Sequence, residues 1–239
     1  MSRHGVGSRG ESVVVIPIRG LVGGKTRLAG AVSDEVRRTL TRQMLDRVLA
    51  AALAVREIDR VVVVSPDPAT LARAATGGPR VVPLHQDPIT PGHNPALAQA
   101  REWAADRGAA AMLVLSGDLP FLVADDVRAI AVGDAPVVLG TDHHGTGTNA
   151  LRLDLTDARA TRFPFRFGAG SRLAHEAAAA GLGLPLTTVT IPGIAFDLDT
   201  VADWRHFLST GGDLPAADPI LPSAEPVLAT GADGLWGRS

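Results

Sequence analysis

Val13-Val14-Val15-Ile16-Pro17-Ile18 runs without a break into Arg19-Gly20-Leu21-Val22-Gly23-Gly24-Lys25-Thr26-Arg27-Leu28. A short β-branched apolar run that empties into a glycine-rich turn reads as a strand buried on both faces, as in a mostly parallel sheet covered by helices. Lys25 is the single lysine of the 239-residue chain, beside 22 arginines. A composition so biased to arginine would supply a guanidinium wherever charge alone sufficed. A lysine kept at the mouth of a buried strand points to a compact, strongly hydrated cation, with glycines that let backbone N–H groups close on phosphate oxygens. The competing reading is a solvated basic turn. As an exposed loop charge, Lys25 is expected to matter far more to triphosphate handling than to folding.

The turn is not a Walker A loop. That motif needs G-x-x-x-x-G-K-[ST], and the position of its first glycine is Arg19 here, leaving Gly20-x-x-x-Gly24-Lys25-Thr26. A nucleoside triphosphate held here would follow another backbone path, with Arg19, Gly20, Lys25 and Arg27 as the nucleotide-binding candidates.

Outward from this turn, short β-branched runs alternate with alanine-rich stretches of helical period, the pattern of an α/β sandwich. Strands are expected at 13–18, 60–65, 80–84, 112–116 and 137–140, with two more at 186–191 and 194–198. Helices are expected at 33–55, 68–75, 94–107, 124–132, 171–180 and 200–208. Ser33 is expected to cap the first helix, whose Leu40, Met44, Leu45, Val48, Leu49 and Ala52 form one apolar face. Residues 140–170 break the alternation and read as an irregular glycine-rich loop. One domain over 12–211 is expected, between a flexible N-terminal segment 1–11 and a mobile Pro/Gly/Ala-rich tail 212–239.

Composition excludes several functions. Without cysteine there is no disulfide, thiolate catalysis or cysteine-ligated metal. A net charge of −2 and 4% aromatic residues argue against nucleic acid as a partner. No apolar run is long enough to cross a membrane, and a cytoplasmic location is expected.

Five further stretches bear on chemistry. Met112-Leu-Val-Leu-Ser-Gly-Asp118 is an apolar strand ending in a carboxylate, which in an open parallel sheet projects into the ligand crevice; a turn aspartate bonding its own backbone is the alternative. Asp197-Leu-Asp199 spaces two carboxylates to share a hard cation, Mg²⁺ by preference, unless Asp199 or Thr200 caps the helix that follows, with Asp203 completing a box. Gly168-Ala-Gly170-Ser171 opens a helix and offers either an anion site or a plain Ser171 cap. His143 and His144, being adjacent, diverge from any shared metal and read as loop residues. Asn94, before Pro95, reads as a helix cap that could also touch a ribose or base.

Taken in order, Val15-Ile-Pro-Ile-Arg-Gly with Lys25-Thr-Arg-Leu, Gly92-His-Asn-Pro-Ala-Leu, Leu115-Ser-Gly-Asp-Leu-Pro, His144-Gly-Thr-Gly-Thr-Asn-Ala-Leu, Phe167-Gly-Ala-Gly-Ser and Phe196-Asp-Leu-Asp-Thr resemble the guanylyltransferases of deazaflavin coenzyme F420 biosynthesis. The resemblance implies a three-layer Rossmann-like sandwich of the glycosyltransferase-A-like nucleotidyltransferase type, with a mixed, mostly parallel sheet. It implies GTP and a small phosphorylated three-carbon acid, phosphoenolpyruvate or 2-phospho-L-lactate, as partners. It further implies Mg²⁺ on Asp118, Asp197 and Asp199, the acid at Thr148, Gly168 and Ser171, and Lys25 and Asp118 as the catalytic pair. A homodimer and a hand-over of product to the next enzyme are compatible with it. A nucleotidyltransferase with a molybdopterin or sugar-phosphate acceptor, and a non-catalytic nucleotide-sensing module, share many of these features.

Overall fold

The computed structural model describes residues 10–21 and 25–211; the expected tail 212–239 and positions 1–9 of the expected N-terminal segment lie outside the described residues. Seven strands form one sheet: β1 (Ser12–Pro17), β2 (Arg60–Ser65), β3 (Val81–His85), β4 (Ala111–Leu115), β5 (Val137–Thr141), β6 (Thr148–Asp154) and β7 (Leu186–Val189). Their spatial order is β3-β2-β1-β4-β6-β5-β7, and β6 alone runs against its neighbours. The helices are α1 (Asp34–Ala54), α2 (Pro68–Ala75), α3 (His93–Ala105), α4 (Ala124–Ala131), α5 (Ser171–Gly181), α6 (Pro192–Ala195) and α7 (Val201–Ser209).

Strand alternation builds the three layers. Val14 and Ile16 of β1, Val61 and Val63 of β2, and Leu113 and Leu115 of β4 face one core with Leu45, Val48 and Leu49 of α1 and Val127 and Ile130 of α4. Val13, Val15, Val62, Val64, Met112 and Val114 face the other, with Leu97 and Ala100 of α3 and Ala179 of α5. Both faces are apolar because both are covered, which is why these strands read as unbroken hydrophobic runs. Ser33 caps α1 as expected, its Oγ accepting from the Val36 N–H at 3.3 Å.

Two expectations are corrected. Residues 140–170 are not wholly irregular, since β6 lies within them; Leu151 and Leu153 point into one core while Arg152 reaches back to carbonyls of Ala131 and Ala135. Residues 194–198 form no strand. Pro192 starts the short helix α6, and the chain then runs extended outside the sheet to Thr200. Proline suits the first turn of a helix, where its missing N–H is unneeded.

This topology decides where chemistry can happen. Parallel neighbours β1 and β4 end at the same edge, and the chain continues from β1 to β2 and from β4 to β5 in opposite directions along the sheet, opening a crevice there. Because β6 is antiparallel, its first residues, Thr148 and Asn149, arrive at that edge too, and the Ser116 N–H donates to the Asn149 carbonyl at 2.8 Å.

Candidate active site

Lys25, eight residues past the end of β1, lies over the crevice. Its φ of 53° is the one left-handed backbone among the described non-glycine residues, a conformation that costs of order 1 kcal/mol and is kept only where surroundings enforce it. The enforcing contacts are visible. Nζ donates to Asp118 Oδ2 at 3.1 Å, to Asp199 Oδ1 at 3.2 Å and to the Leu198 carbonyl. Three residues on, Leu28 is fully buried against Leu198, Leu40, Met44 and Phe207. An apolar cluster thus clamps the Lys25 turn onto the segment that carries Asp197 and Asp199.

This corrects the expected exposed loop charge: the Lys25 side chain is only 7% exposed. Burial alone would lower its pKa, but the carboxylates of Asp118 and Asp199 outweigh burial and hold it above the ordinary lysine value.

Asp118, Asp197 and Asp199 each present a carboxylate oxygen within 4.8 Å of the others. Two stretches some eighty residues apart meet here because the Leu198 N–H donates to the Asp118 carbonyl at 3.1 Å. Gly117 lets the end of β4 pack against the end of β1, since a Cβ there would lie 2.2 Å from the tip of the Ile18 side chain. The Asp197–Asp199 spacing is not spent on capping. Thr200 caps α7, its Oγ1 accepting from the Asp203 N–H while Asp203 Oδ2 accepts from the Thr200 N–H, so both upstream carboxylates stay in the crevice. Asn149, to which the motif assigns no role, donates to the Ile194 carbonyl at 2.9 Å and to Asp197 Oδ1 at 3.1 Å.

The electrostatics favour a cation. Burial pushes the Asp118 pKa up, and Lys25 more than reverses this, so Asp118 sits below the usual carboxylate range. Burial first, and then the charge of Asp118, hold Asp197 and Asp199 above it. Asp118 Oδ1 is buried and has no hydrogen-bond partner. An orphaned carboxylate oxygen beside two further carboxylates is a donor set that fits a hard divalent ion.

The remaining candidates divide. Arg27 is 73% exposed and lies 3.9 Å from Asp199, at the rim of the carboxylate cluster. Arg19 is exposed and Gly20 partly buried, directly after β1. Asn94 is not the cap: α3 begins at His93 behind Gly92, and the Asn94 amide makes paired hydrogen bonds with the Phe167 backbone, at 2.9 and 3.1 Å. It therefore latches the Phe167 loop onto α3. Ser171 is not a cap either. Gly170, with φ 66°, holds that place, and Ser171 is the first residue of α5, 2% exposed. Gly168 is exposed just before it. His143 and His144 sit in the turn between β5 and β6, as expected of loop residues.

Thr148 is buried with Oγ1 3.0 Å from Nδ1 of His175, a residue of α5 that no motif singles out. The one signal in the sequence is its place four residues after Ser171, on the same helix face. Burial, then the nearby Arg166 charge, lower the His175 pKa from 6.5 to about 4. Between those values only the unfolded chain takes up the proton, so this stability is complete above pH 6.5 and declines as pH falls toward 4. The loss expected is at most about 3 kcal/mol. Urea midpoints at pH 7 and pH 4.5 check this, and His175→Phe should flatten the difference.

The sandwich shares its fold with solved nucleotidyltransferases. A putative nucleotide-diphospho-sugar transferase from Desulfovibrio desulfuricans superposes with a TM-score of 0.68 at 16% identity, over 85% of this chain and 89% of that one. A Mycobacterium tuberculosis protein solved in complex with manganese superposes at 0.52, with 18% identity, over 84% of this chain and 100% of its own. Within that class the chain belongs to the family described as Guanylyl transferase CofC like, which matches residues 12–218. It is 40% identical over 194 residues to the phosphoenolpyruvate guanylyltransferase of Sphaerobacter thermophilus, covering 80% of this chain and 90% of that protein.

Proposed function

We propose that this protein is a guanylyltransferase that joins GTP to phosphoenolpyruvate with release of pyrophosphate, an early step in making coenzyme F420. The observation that carries the proposal is the convergence of Asp118, Asp197 and Asp199 on Lys25 at the carboxyl edge of the sheet, in a chain of this family. In the reaction an oxygen of the acid's phosphate forms a bond to the α-phosphorus of GTP. The bond from that phosphorus to the β-phosphate oxygen breaks, and its electron pair leaves with pyrophosphate. The attacking phosphate is already ionised, so the protein's task is positioning and charge neutralisation rather than general-base catalysis.

Asp118, Asp197 and Asp199 would hold Mg²⁺, which supplies neutralisation of the triphosphate when bound. Lys25, whose bonds to Asp118 and Asp199 would be given up to the metal those carboxylates hold, and Arg19 and Arg27 at the rim would hold phosphate oxygens by charge-assisted hydrogen bonds. Thr148 and Ser171, together with the N–H groups that open α5 after Gly168, receive the acid. Asn94 fixes the Phe167 loop that approaches this subsite. Among the described residues no helix is long and apolar enough to cross a membrane, and we assign the reaction, with its soluble substrates, to the cytoplasm.

The test is pyrophosphate release from GTP with phosphoenolpyruvate and Mg²⁺, run beside 2-phospho-L-lactate and the other nucleoside triphosphates. Release with phosphoenolpyruvate, abolished by EDTA and restored by excess Mg²⁺, is expected. Silence with both acids would reject the proposal, and turnover only with a sugar phosphate would move the chain to another acceptor class.

A further inference from the structure

His175 is fully buried in a protein whose proposed reaction has no use for a proton carrier there. Its ring lies between Phe163 and Phe167, with centroids 5.9 and 4.8 Å away, and both of its nitrogens are engaged. The Arg166 backbone N–H donates to Nε2 at 2.9 Å. A backbone amide can only donate, so Nε2 must present its lone pair, and the proton of the neutral ring is on Nδ1. Nδ1–H then donates to Thr148 Oγ1 at 3.0 Å. That bond uses Thr148 as acceptor. The hydroxyl proton of Thr148 must therefore point elsewhere, and among the described residues no side chain or carbonyl takes it.

We infer that His175 is a positioning residue: it fixes the Thr148 hydroxyl as a donor toward an oxyanion of the acid substrate, and the Arg166 amide enforces the tautomer that does so. The inference rests on the proposed reading of Thr148 as part of the acid subsite. It gives the arrangement a direction, Arg166 N–H to His175 to Thr148 to ligand, in which every donor is committed. A hydroxyl locked by a buried ring costs the ligand no reorientation, and such preorganised donors discriminate for an anion at that place. The same ring ties the Arg166–Phe167 loop to the start of β6, and Asn94 ties that loop to α3 from its other side.

Two substitutions separate this role from mere packing. His175→Asn can keep an amide N–H near the place of Nδ1 and so retain the bond to Thr148. His175→Gln can keep an oxygen near the place of Nε2, retaining the Arg166 tether while losing Thr148. Binding of phosphoenolpyruvate by calorimetry and its KM at saturating GTP are measured for both, with circular dichroism to verify folding and the KM for GTP as control. His175→Gln should weaken acid binding roughly 10- to 100-fold, as for one hydrogen bond to a charged group, with GTP unaffected. His175→Asn should stay within about threefold of the parent, one such bond being retained. In a Thr148→Val background the two variants should bind the acid alike, because the bond that distinguishes them is gone. Equal acid affinity of folded Asn and Gln variants, or a difference that persists without the Thr148 hydroxyl, overturns the inference. A parent protein that binds no phosphoenolpyruvate beside GTP and Mg²⁺ instead removes the reading beneath it.

Discussion

Asp118→Ala is expected to reduce Mg²⁺-dependent pyrophosphate release by about 10³-fold or more, with Asp197→Ala close behind, an effect of about 4 kcal/mol on the barrier. Asp118 is the larger because it is the carboxylate held ionised by Lys25, and its Oδ1 is the buried oxygen without a partner. Removing it takes away a ligand oxygen and the main partner of the ammonium group together. Asp197 is oriented by Asn149, so Asn149→Ala should give a milder loss of the same kind, read as a raised Mg²⁺ requirement. Because Asp197 and Asp199 have raised pKa values, protons compete with metal there, and the Mg²⁺ concentration for half-maximal rate should rise as pH is lowered. Manganese titration followed by electron paramagnetic resonance gives a check that needs no turnover. Parent-like manganese affinity in Asp118→Ala would refute the ligand role, and parent-like turnover in Asp197→Ala at saturating metal would do the same for that residue.

How much of the fold and the site is legible in the amino-acid sequence depends on the kind of signal each feature leaves there. The parallel half of the sheet is legible because burial on both faces leaves continuous runs such as Val61-Val62-Val63-Val64, which no exposed segment would tolerate. Strand β6 is hidden because Gly145 and Gly147 just before it and Asn149 within it dominate the local composition, although Leu151 and Leu153 show the period of two. The 194–198 stretch is apolar enough to pass for a strand, and only tertiary partners reveal otherwise: Asn149 engages the Ile194 and Ala195 carbonyls. The carboxylates and Lys25 stand out by residue type, but nothing local tells that Lys25 is buried. That depends on Leu28 meeting Leu198 across the chain. His175 is invisible for the same reason, since its meaning lies wholly in Thr148 and Arg166, neither of them a sequence neighbour.

Lys25→Ala carries the second large effect, and burial changes what it should look like. Were the ammonium group solvated, its removal would cost triphosphate binding and leave stability within a few tenths of a kcal/mol. Instead it lies among carboxylates at 3.1 and 3.2 Å with its side chain 7% exposed, so its loss leaves like charges facing one another without compensation. Breaking a fully buried pair costs about 3–5 kcal/mol, and the 44% exposure of Asp199 reduces the figure here to about 1–2 kcal/mol. In EDTA, Lys25→Ala should therefore melt about 3–6 °C below the parent. Saturating Mg²⁺ should recover most of that difference, because a divalent ion bound by the same carboxylates replaces the missing charge and stabilises the native state by linkage. Turnover should not recover. With the triphosphate contact gone, kcat/KM should stay down by about 10²–10³-fold at any Mg²⁺ concentration, the range for losing a charge-stabilising donor in a transfer site. Lys25→Arg should restore stability better than activity, since a planar guanidinium can pair with carboxylates but does not reproduce a point charge in a turn held at φ 53°. The pairing of the two readouts makes the argument testable: a melting deficit in Lys25→Ala that Mg²⁺ leaves untouched would show that the ammonium group and the cation do not serve the same carboxylates.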